Sequence, residues 1–381
     1  MSFSGRIDFP DPMKHSHFFP VFLALVIFYV GLHFYAARWL TRSFGLSHAA
    51  AATLRITLLC AAFLSPFTMF LKRQYHTPVL EAFYAVGYAW MGVILVAALV
   101  FALSDLAALG LRRWAPAFTH LPRLTLTALG LILAWSVYGG LRNPQLKELE
   151  LKIPGLPPSL EGFRIAQISD MHVDSGWKLR QFDAIVKKIN GAQPDLILIT
   201  GDLIDPGLTC REDLRESISH FKSRLGIYGS LGNHEYYYGL DKAMGCYEAF
   251  GIKLLKNEAA DLGDLKLIGL GDVHTERLSA GDVTAILDKA GNGKFRVLLH
   301  HQPVYYPEIA AAGAGLTLSG HTHRGQIFPF HVFTRAAYKY FYGKYRINNS
   351  FFYVTSGAGT WGPPLRWLAP AEIPVLTLRK E

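Results

Sequence analysis

The sequence predicts a layered α/β domain set behind a region of apolar helices, on three observations. The chain has 381 residues, 51% of them hydrophobic and 18% charged, too apolar for an ordinary soluble domain. The apolar excess lies almost entirely before residue 142. From Phe163 onward, short β-rich runs alternate with amphipathic helical segments, and the polar residues that close those runs are nearly all Asp, Asn or His. This length also favours a division into more than one domain.

The apolar region contains four stretches: Phe18–Tyr35, Ile56–Leu71, Phe83–Leu103 and Leu124–Leu141. The first carries no formal charge over a length that crosses a bilayer core at a rise of about 1.5 Å per residue. The third is as clear. The second contains Ser65-Pro66, which a membrane helix tolerates when neighbours satisfy the freed backbone groups. The fourth is interrupted by glycine and flanked by Arg123 and Arg142. No polar face accompanies these runs, as buried helices of a soluble protein would require at their exposed side. A cleaved signal peptide would account for one stretch and leave three unexplained. Residues 1–145 are therefore read as a transmembrane region with about four helices, 146–161 as a linker, and 162–381 as the α/β domain.

Loop charge sets the expected orientation. Arg38, Arg42, Arg55, Arg112, Arg113 and Arg123 lie on one side, against Arg6, Lys14, Lys72, Arg73 and Arg142 on the other. The small excess points the first set toward the cytoplasm. Four spans then place the α/β domain outside it. The net charge of +9 fits nucleic acid, an anionic membrane or an anionic substrate equally well, so charge alone selects none. Cys60, Cys210 and Cys246 make neither a disulfide framework nor a zinc ribbon. Cys210 and Cys246 are expected as buried free thiols, with pairing between them as the alternative.

In the second region, the runs FRIAQIS, DLILIT, GIYGSLG, KLIGLG, RVLLH, GLTLSG and FFYVTSG read as buried strands bounded by turn residues. Phe182, Ile185, Val186 and Ile189 share one helical face, as do Leu214, Ile218, Phe221 and Leu225. In such layered folds, sites form where strand-end loops converge. The strand ends supply Asp170 and His172, Asp202 with Asp205, Asn233 with His234 and Glu235, His300 and His301, and His321 and His323. Oxygen and imidazole donors without thiolate suit Mn, Fe or Zn in a catalytic rather than a structural setting. There are too many of them for one ion, and about the right number for two ions sharing a carboxylate.

These blocks, D-x-H, G-D-x-x-D, G-N-H-E, H-x-P and G-H-x-H, occur in order at strand ends over residues 162–378. In this the chain resembles the calcineurin-like metallophosphoesterases. The resemblance implies a four-layer αββα sandwich and two divalent metal ions as cofactors. It implies that Asp170, His172, Asp202 and His323 hold one ion, and that Asp202, Asn233, His301 and His321 hold the other. Adjacent residues on a strand face opposite ways, so only one of His300 and His301 reaches the metals. The family's histidine stands two residues before a proline, and Pro303 selects His301. His234 resembles the family's proton donor to the leaving oxygen, a role that suits an imidazole beside a carboxylate. Asp205 is expected as a turn or supporting residue. Arg324 is expected either near the substrate's anion or in solvent.

The blocks GHTHRGQIFPF and SGAGTWGPPLRWLAPAEIPVLTL look like the membrane-associated branch of the family. Between them, HVFTRAAYKYFYGKYRI interleaves aromatic and basic side chains, a pattern that suits a membrane interface, a lipid-facing groove or an ordinary surface loop. The expected function is a membrane-anchored phosphohydrolase, in a bacterial inner membrane, cleaving a phosphodiester or pyrophosphate. A lipid-linked substrate of the UDP-diacylglucosamine type is favoured. The enzymatic alternative is a general or cyclic-nucleotide phosphodiesterase, and the non-enzymatic one a metal-bound scaffold. Nucleic acid is not the expected partner, and no protein partner is inferable.

Overall fold

The computed structural model describes residues 18–72, 75, 77–110, 119–173, 176–205 and 210–381. Arg6, Lys14, Arg73, Arg112 and Arg113, which carry much of the orientation argument, lie outside the described residues. Two compact units result, one ending at Gly130 and one running from Leu131 to Glu381.

The first unit is helical. Helices α1 (Phe18–Phe44), α2 (His48–Lys72), α3 (Pro78–Gly110) and the start of α4 (Leu121–Leu141) coincide with the four apolar stretches and extend beyond them. All four are long and apolar enough to cross a membrane. A small interior is built from Ala36, Ala37, Ile94 and Ala97 around Trp39, which stacks on Phe101 at 4.0 Å between ring centres. Leu25, Ile27, Phe63, Phe67 and Leu106 point outward. Small residues inside and large apolar ones outside are what packing in lipid calls for.

The second unit is a sandwich of two six-stranded sheets. One has the order β1 (Gln145–Ile153), β12 (Glu372–Lys380), β2 (Arg164–Ile168), β3 (Leu196–Thr200), β4 (Ile227–Ser230), β5 (Lys253–Leu254). The other has the order β10 (Gly343–Ile347), β11 (Ser350–Val354), β9 (Leu316–Ser319), β8 (Phe295–Leu299), β7 (Leu265–Gly269), β6 (Glu258–Leu262). Ile165, Leu196, Leu198, Val297, Leu316 and Leu376 meet between the sheets. Outside the first sheet, Phe182, Ile185, Val186 and Ile189 of α5 (Gly176–Ala192) cover Ala166, Ile197 and Ile199, with α6 (Glu212–Ser219) and α8 (Leu240–Ala249) beside them. Val283 and Leu287 of α9 (Ala280–Lys289) and Ile309 of α10 (Tyr306–Ala311) cover Ile268 and Leu298 of the second. This is the expected αββα layering. The seven sequence-predicted strands are β2, β3, β4, β7, β8, β9 and β11. Helix α6 ends at Ser219, so Phe221 and Leu225 lie past it rather than on its face.

Two expectations are corrected. Residues 146–161 are no free linker: β1 pairs in parallel with β12 from Gln145↔Glu372 to Ile153↔Lys380, and Leu151 and Ile153 are buried between the sheets. Cys210 and Cys246 are joined in a disulfide instead of standing as free thiols, which ties the segment after Asp205 to α8.

β2, β3 and β4 run parallel to one another, as do β7, β8 and β9. The C-terminal ends of these strands open on one edge of the sandwich, and the predicted donor residues follow them there.

Candidate metal centre

The donors are brought together by backbone that few side chains tolerate. Asp170, His172, Asp202, His321 and His323 all adopt left-handed φ between 47° and 68°, as does Arg324. Such conformations cost about 1–3 kcal/mol each in non-glycine residues and persist where surrounding structure enforces them. Glycines make room: a Cβ on Gly320 would lie 2.0 Å from Ser169 Oγ and 2.2 Å from Asp170 Oδ2, and one on Gly232 would lie 2.2 Å from Asp202 Oδ1. Glu235, fully buried, fixes the turns by accepting from the backbone N–H groups of Asp202, Leu203 and Gly232 at 2.8–2.9 Å.

Three predicted donors form one group. His172 Nε2 and His323 Nε2 stand 3.0 Å apart, and His323 Nε2 is 3.3 Å from Asp170 Oδ1. His172 Nδ1–H donates to Asp205 Oδ1 at 2.9 Å, which leaves Nε2 with its lone pair. Across the site, Asp202 Oδ2 lies 3.1 Å from His301 Nε2, and His321 Nδ1 lies 3.0 Å from Asn233 Oδ1. Asp202 Oδ2 is also 3.8 Å from His172 Nε2, so one carboxylate oxygen faces both groups. Donors about 2.1 Å from a common ion stand roughly 3.0–3.4 Å apart, and these separations fit that spacing.

The unsatisfied atoms agree. Asp170 Oδ2 is buried without a hydrogen-bond partner, although such groups are nearly always satisfied, and His301 Nε2 is buried facing only the Asp202 carboxylate. His301 Nδ1–H donates to the Thr200 carbonyl at 2.7 Å, so Nε2 is the nitrogen turned toward Asp202. Burial holds His321 down to about 3 and His323 well below the usual histidine range, so both present lone pairs. For His301, burial is outweighed by the charge and hydrogen bond of Asp202, and its pKa rises to about 10. The pull of Asp202 that favours positive charge between these two groups would equally favour a metal cation there, held by the neutral imidazole. The residues present fit a divalent metal site. His300 faces away, its Nε2 3.1 Å from the Val304 carbonyl, and burial lowers it to about 4.

His234 stands in the first turn of α7 (Asn233–Tyr238) and borders the cavity. Its Nδ1 donates to Asp205 Oδ1 at 2.5 Å. Burial works against its charged form, yet the bond to Asp205 and the charges of Asp202, Asp205 and Glu235 raise its pKa above 6.5. Asp205 therefore orients both His172 and His234. Tyr338 enters the sequence reading only as one aromatic of the basic-aromatic segment, but its hydroxyl lies 2.8 Å from His321 Nε2, so the tautomer with Nδ1 free donates from Nε2–H to the phenol oxygen. Buried Lys178 ties the carbonyl of His172 to that of Thr360. Buried Arg366 gathers the carbonyls of Ser356, Gly359 and Ala369. Neither cation had a signal in sequence beyond its charge. Arg324 lies over the Tyr342 ring at 4.4 Å.

His172, Asp202, Asn233, His321 and His323 form the floor of a cavity of about 430 Å³ whose walls include Tyr237, Ile327, Phe330, Tyr338 and Trp361.

Comparison with known proteins places this geometry. The calcineurin-like phosphoesterase pattern matches residues 163–325. An uncharacterized metallophosphoesterase of Bacillus subtilis is 32% identical over 270 residues, covering 66% of this chain and 93% of the relative. One from Helicobacter pylori is 36% identical over 245 residues, covering 63% of this chain and 65% of the relative. A zebrafish (Danio rerio) transmembrane protein with metallophosphoesterase domain is 31% identical over 283 residues, covering 68% of this chain and 63% of the relative. The chain belongs to the calcineurin-like metallophosphoesterase family. Its four apolar helices and its likeness to a transmembrane relative make it a membrane protein. The match spans less than two thirds of the Helicobacter and zebrafish proteins.

Proposed function

We propose that the protein is a membrane-anchored, dinuclear metal-dependent phosphohydrolase that cleaves a phosphodiester or pyrophosphate bond in a lipid-linked substrate. The observation that carries this reading is the composition of one cavity. Its floor holds Asp202, Asn233, His321 and His323, and its wall carries Phe330 and Trp361, both about half exposed. A site that read only phosphate would have no use for that wall.

In this reading Asp170, His172, Asp202 and His323 hold one ion, and Asp202, Asn233, His301 and His321 the other. Two such ions supply Lewis-acid polarisation of phosphoryl oxygens and a lowered pKa for the attacking water. The chain's own residues do the remainder. Asp205 keeps His172 Nε2 aimed inward, and Tyr338 does the same for His321 Nδ1. His234, held by Asp205 and favoured in its charged form, delivers its Nε2 proton to the leaving oxygen. The Cys210–Cys246 disulfide supports an extracytoplasmic domain, because such bonds persist in oxidising compartments. That agrees with the loop charges and with a bacterial inner membrane.

The test is hydrolysis by detergent-purified full-length protein with Mn(II), on bis-p-nitrophenyl phosphate and on a UDP-linked acylated sugar, with Asp202→Asn as control. Activity on the lipid far above that on the diester, lost in the variant, is the expected result. Activity on the diester alone would leave a general phosphodiesterase. Inactivity on both with two metals bound would leave a scaffold.

A further inference from the structure

The basic-aromatic segment was absorbed only in part by the site. Its helix α11 (Phe330–Ala337) has no buried residue, yet it follows the metal-binding loop and leads straight to Tyr338. Val332 and Phe333 on α11 are 59% and 61% exposed. Leu368 and Trp361, on the neighbouring loop, are 58% and 53% exposed. The two segments form one surface: Gln326 bonds reciprocally with Trp361 through Nε2 and Oε1 at 2.9 Å, the Trp367 N–H donates to the Gln326 carbonyl, and Ile327 bridges to Trp367.

What covers this surface is indicated by its continuity with α4. In the second unit, the last turn of α4 packs directly on the same loop. The Arg366 N–H donates to the Ser136 carbonyl at 2.9 Å. A Cβ on Gly140 would lie 2.2 Å from the Pro364 carbonyl oxygen, and one on Gly139 would lie 2.6 Å from that of Arg366. The loop that carries Trp361 and Leu368 is thus fixed to the end of a helix apolar enough to span a bilayer. That end carries Trp135 and Tyr138, both more than half exposed, and membrane-interface belts are rich in these residue types. Charge points the same way. Residues 309–371 contain no Asp or Glu and six Lys or Arg, and of these Arg335 in the last turn of α11 and Lys339 just past it are exposed. Apolar side chains with basic neighbours and no acid suit anionic headgroups over acyl chains.

We propose that α11 and the Trp361–Leu368 loop lie in the headgroup region of an anionic bilayer, with Val332, Phe333 and Leu368 inserted, so that the cavity opens at the membrane surface. The inference rests on α4 crossing the membrane and not on which phosphoester is cleaved.

The test uses full-length protein in nanodiscs of phosphatidylglycerol and phosphatidylethanolamine, in a Cys60→Ser background under non-reducing conditions. Bimane is attached at Phe333→Cys, at Val332→Cys as an independent position, and at Asn292→Cys just before β8, at the opposite end of the sheets. Doxyl-labelled lipid should quench the labels at 332 and 333 by at least half and leave 292 unchanged. Aqueous iodide should quench 292 several-fold more than the other two. Iodide access at 332 and 333 equal to that at 292, with no response to doxyl lipid, would overturn the proposal. So would shielding from both quenchers, which would mean that protein covers the helix. No substrate enters the measurement, so its failure is separate from failure of the hydrolysis assay.

Discussion

Asp205 Oδ1 receives two imidazole N–H groups, from His172 on the metal side and His234 on the proton-donor side. The two histidines nevertheless answer differently to replacement. His234→Asn should lower turnover roughly 10²–10⁴-fold, the range for a lost acid–base group, with metal content by plasma mass spectrometry unchanged. Loss of the metals in that variant would make His234 a scaffold residue. Tyr338→Phe removes the partner of His321 Nε2. It should weaken binding of one metal equivalent by ~10–100-fold in a calorimetric titration, the usual effect of removing a group that orients a ligand. An unchanged isotherm would exclude that role. His301→Ala should reduce metal occupancy more than His300→Ala, because only His301 turns Nε2 toward Asp202, while His300 bonds the Val304 carbonyl. Much at this scale was legible, since the five blocks name the residues that converge. Asp205 could be named from its G-D-x-x-D block but not assigned to both histidines. Tyr338 was legible only as an aromatic of the basic-aromatic segment, because its place beside His321 comes from a side chain reaching across the mouth of the site.

At the scale of elements, the site depends on where strands stop and how sharply the chain then turns. Gly320→Ala should strip metal from the purified protein, because its Cβ must displace Ser169 or Asp170. Gly155→Ala, also at positive φ but in open space, should cost some stability and no metal. Equal metal retention in the two variants would show that the close approach at Gly320 is not needed. The interior strands were legible from β-rich runs bounded by turns, and the α5 face from its 3.6-residue period. The edge strand β1 was not. Its sequence QLKELELKI carries four charges, its outer positions face water, and its partner β12 is far along the chain. The left-handed conformations at five donor positions were equally silent, since Asp and His occur in every backbone region. They are dictated by the loops' packing and by Glu235.

For the whole molecule, the disulfide and the membrane helices bear on the same question of compartment. Cys246→Ser should lower the stability of the α/β domain by about 2–4 kcal/mol, read as a reduced melting temperature in detergent. In intact spheroplasts, an impermeant maleimide should label the Cys210–Cys246 pair only after external reduction. Labelling only after lysis would move the domain to the cytoplasm. Division into helical and α/β parts was legible because composition changes abruptly near residue 142. The pairing of Cys210 with Cys246 was not, since 36 positions separate them and only the packed fold brings their Cα atoms to 5.2 Å.

The register of β1 on β12 also sets an order of assembly. Strand β1 leaves the ribosome just after α4, but its partner follows only when nearly all of the sandwich has been made, on the order of 10–45 s later at ordinary rates of synthesis. β12 lies between β1 and β2, so the first sheet has a gap until it arrives. The first sheet therefore cannot be completed before that delay has passed. The arrival of β12 then completes the first sheet by joining β1 to β2.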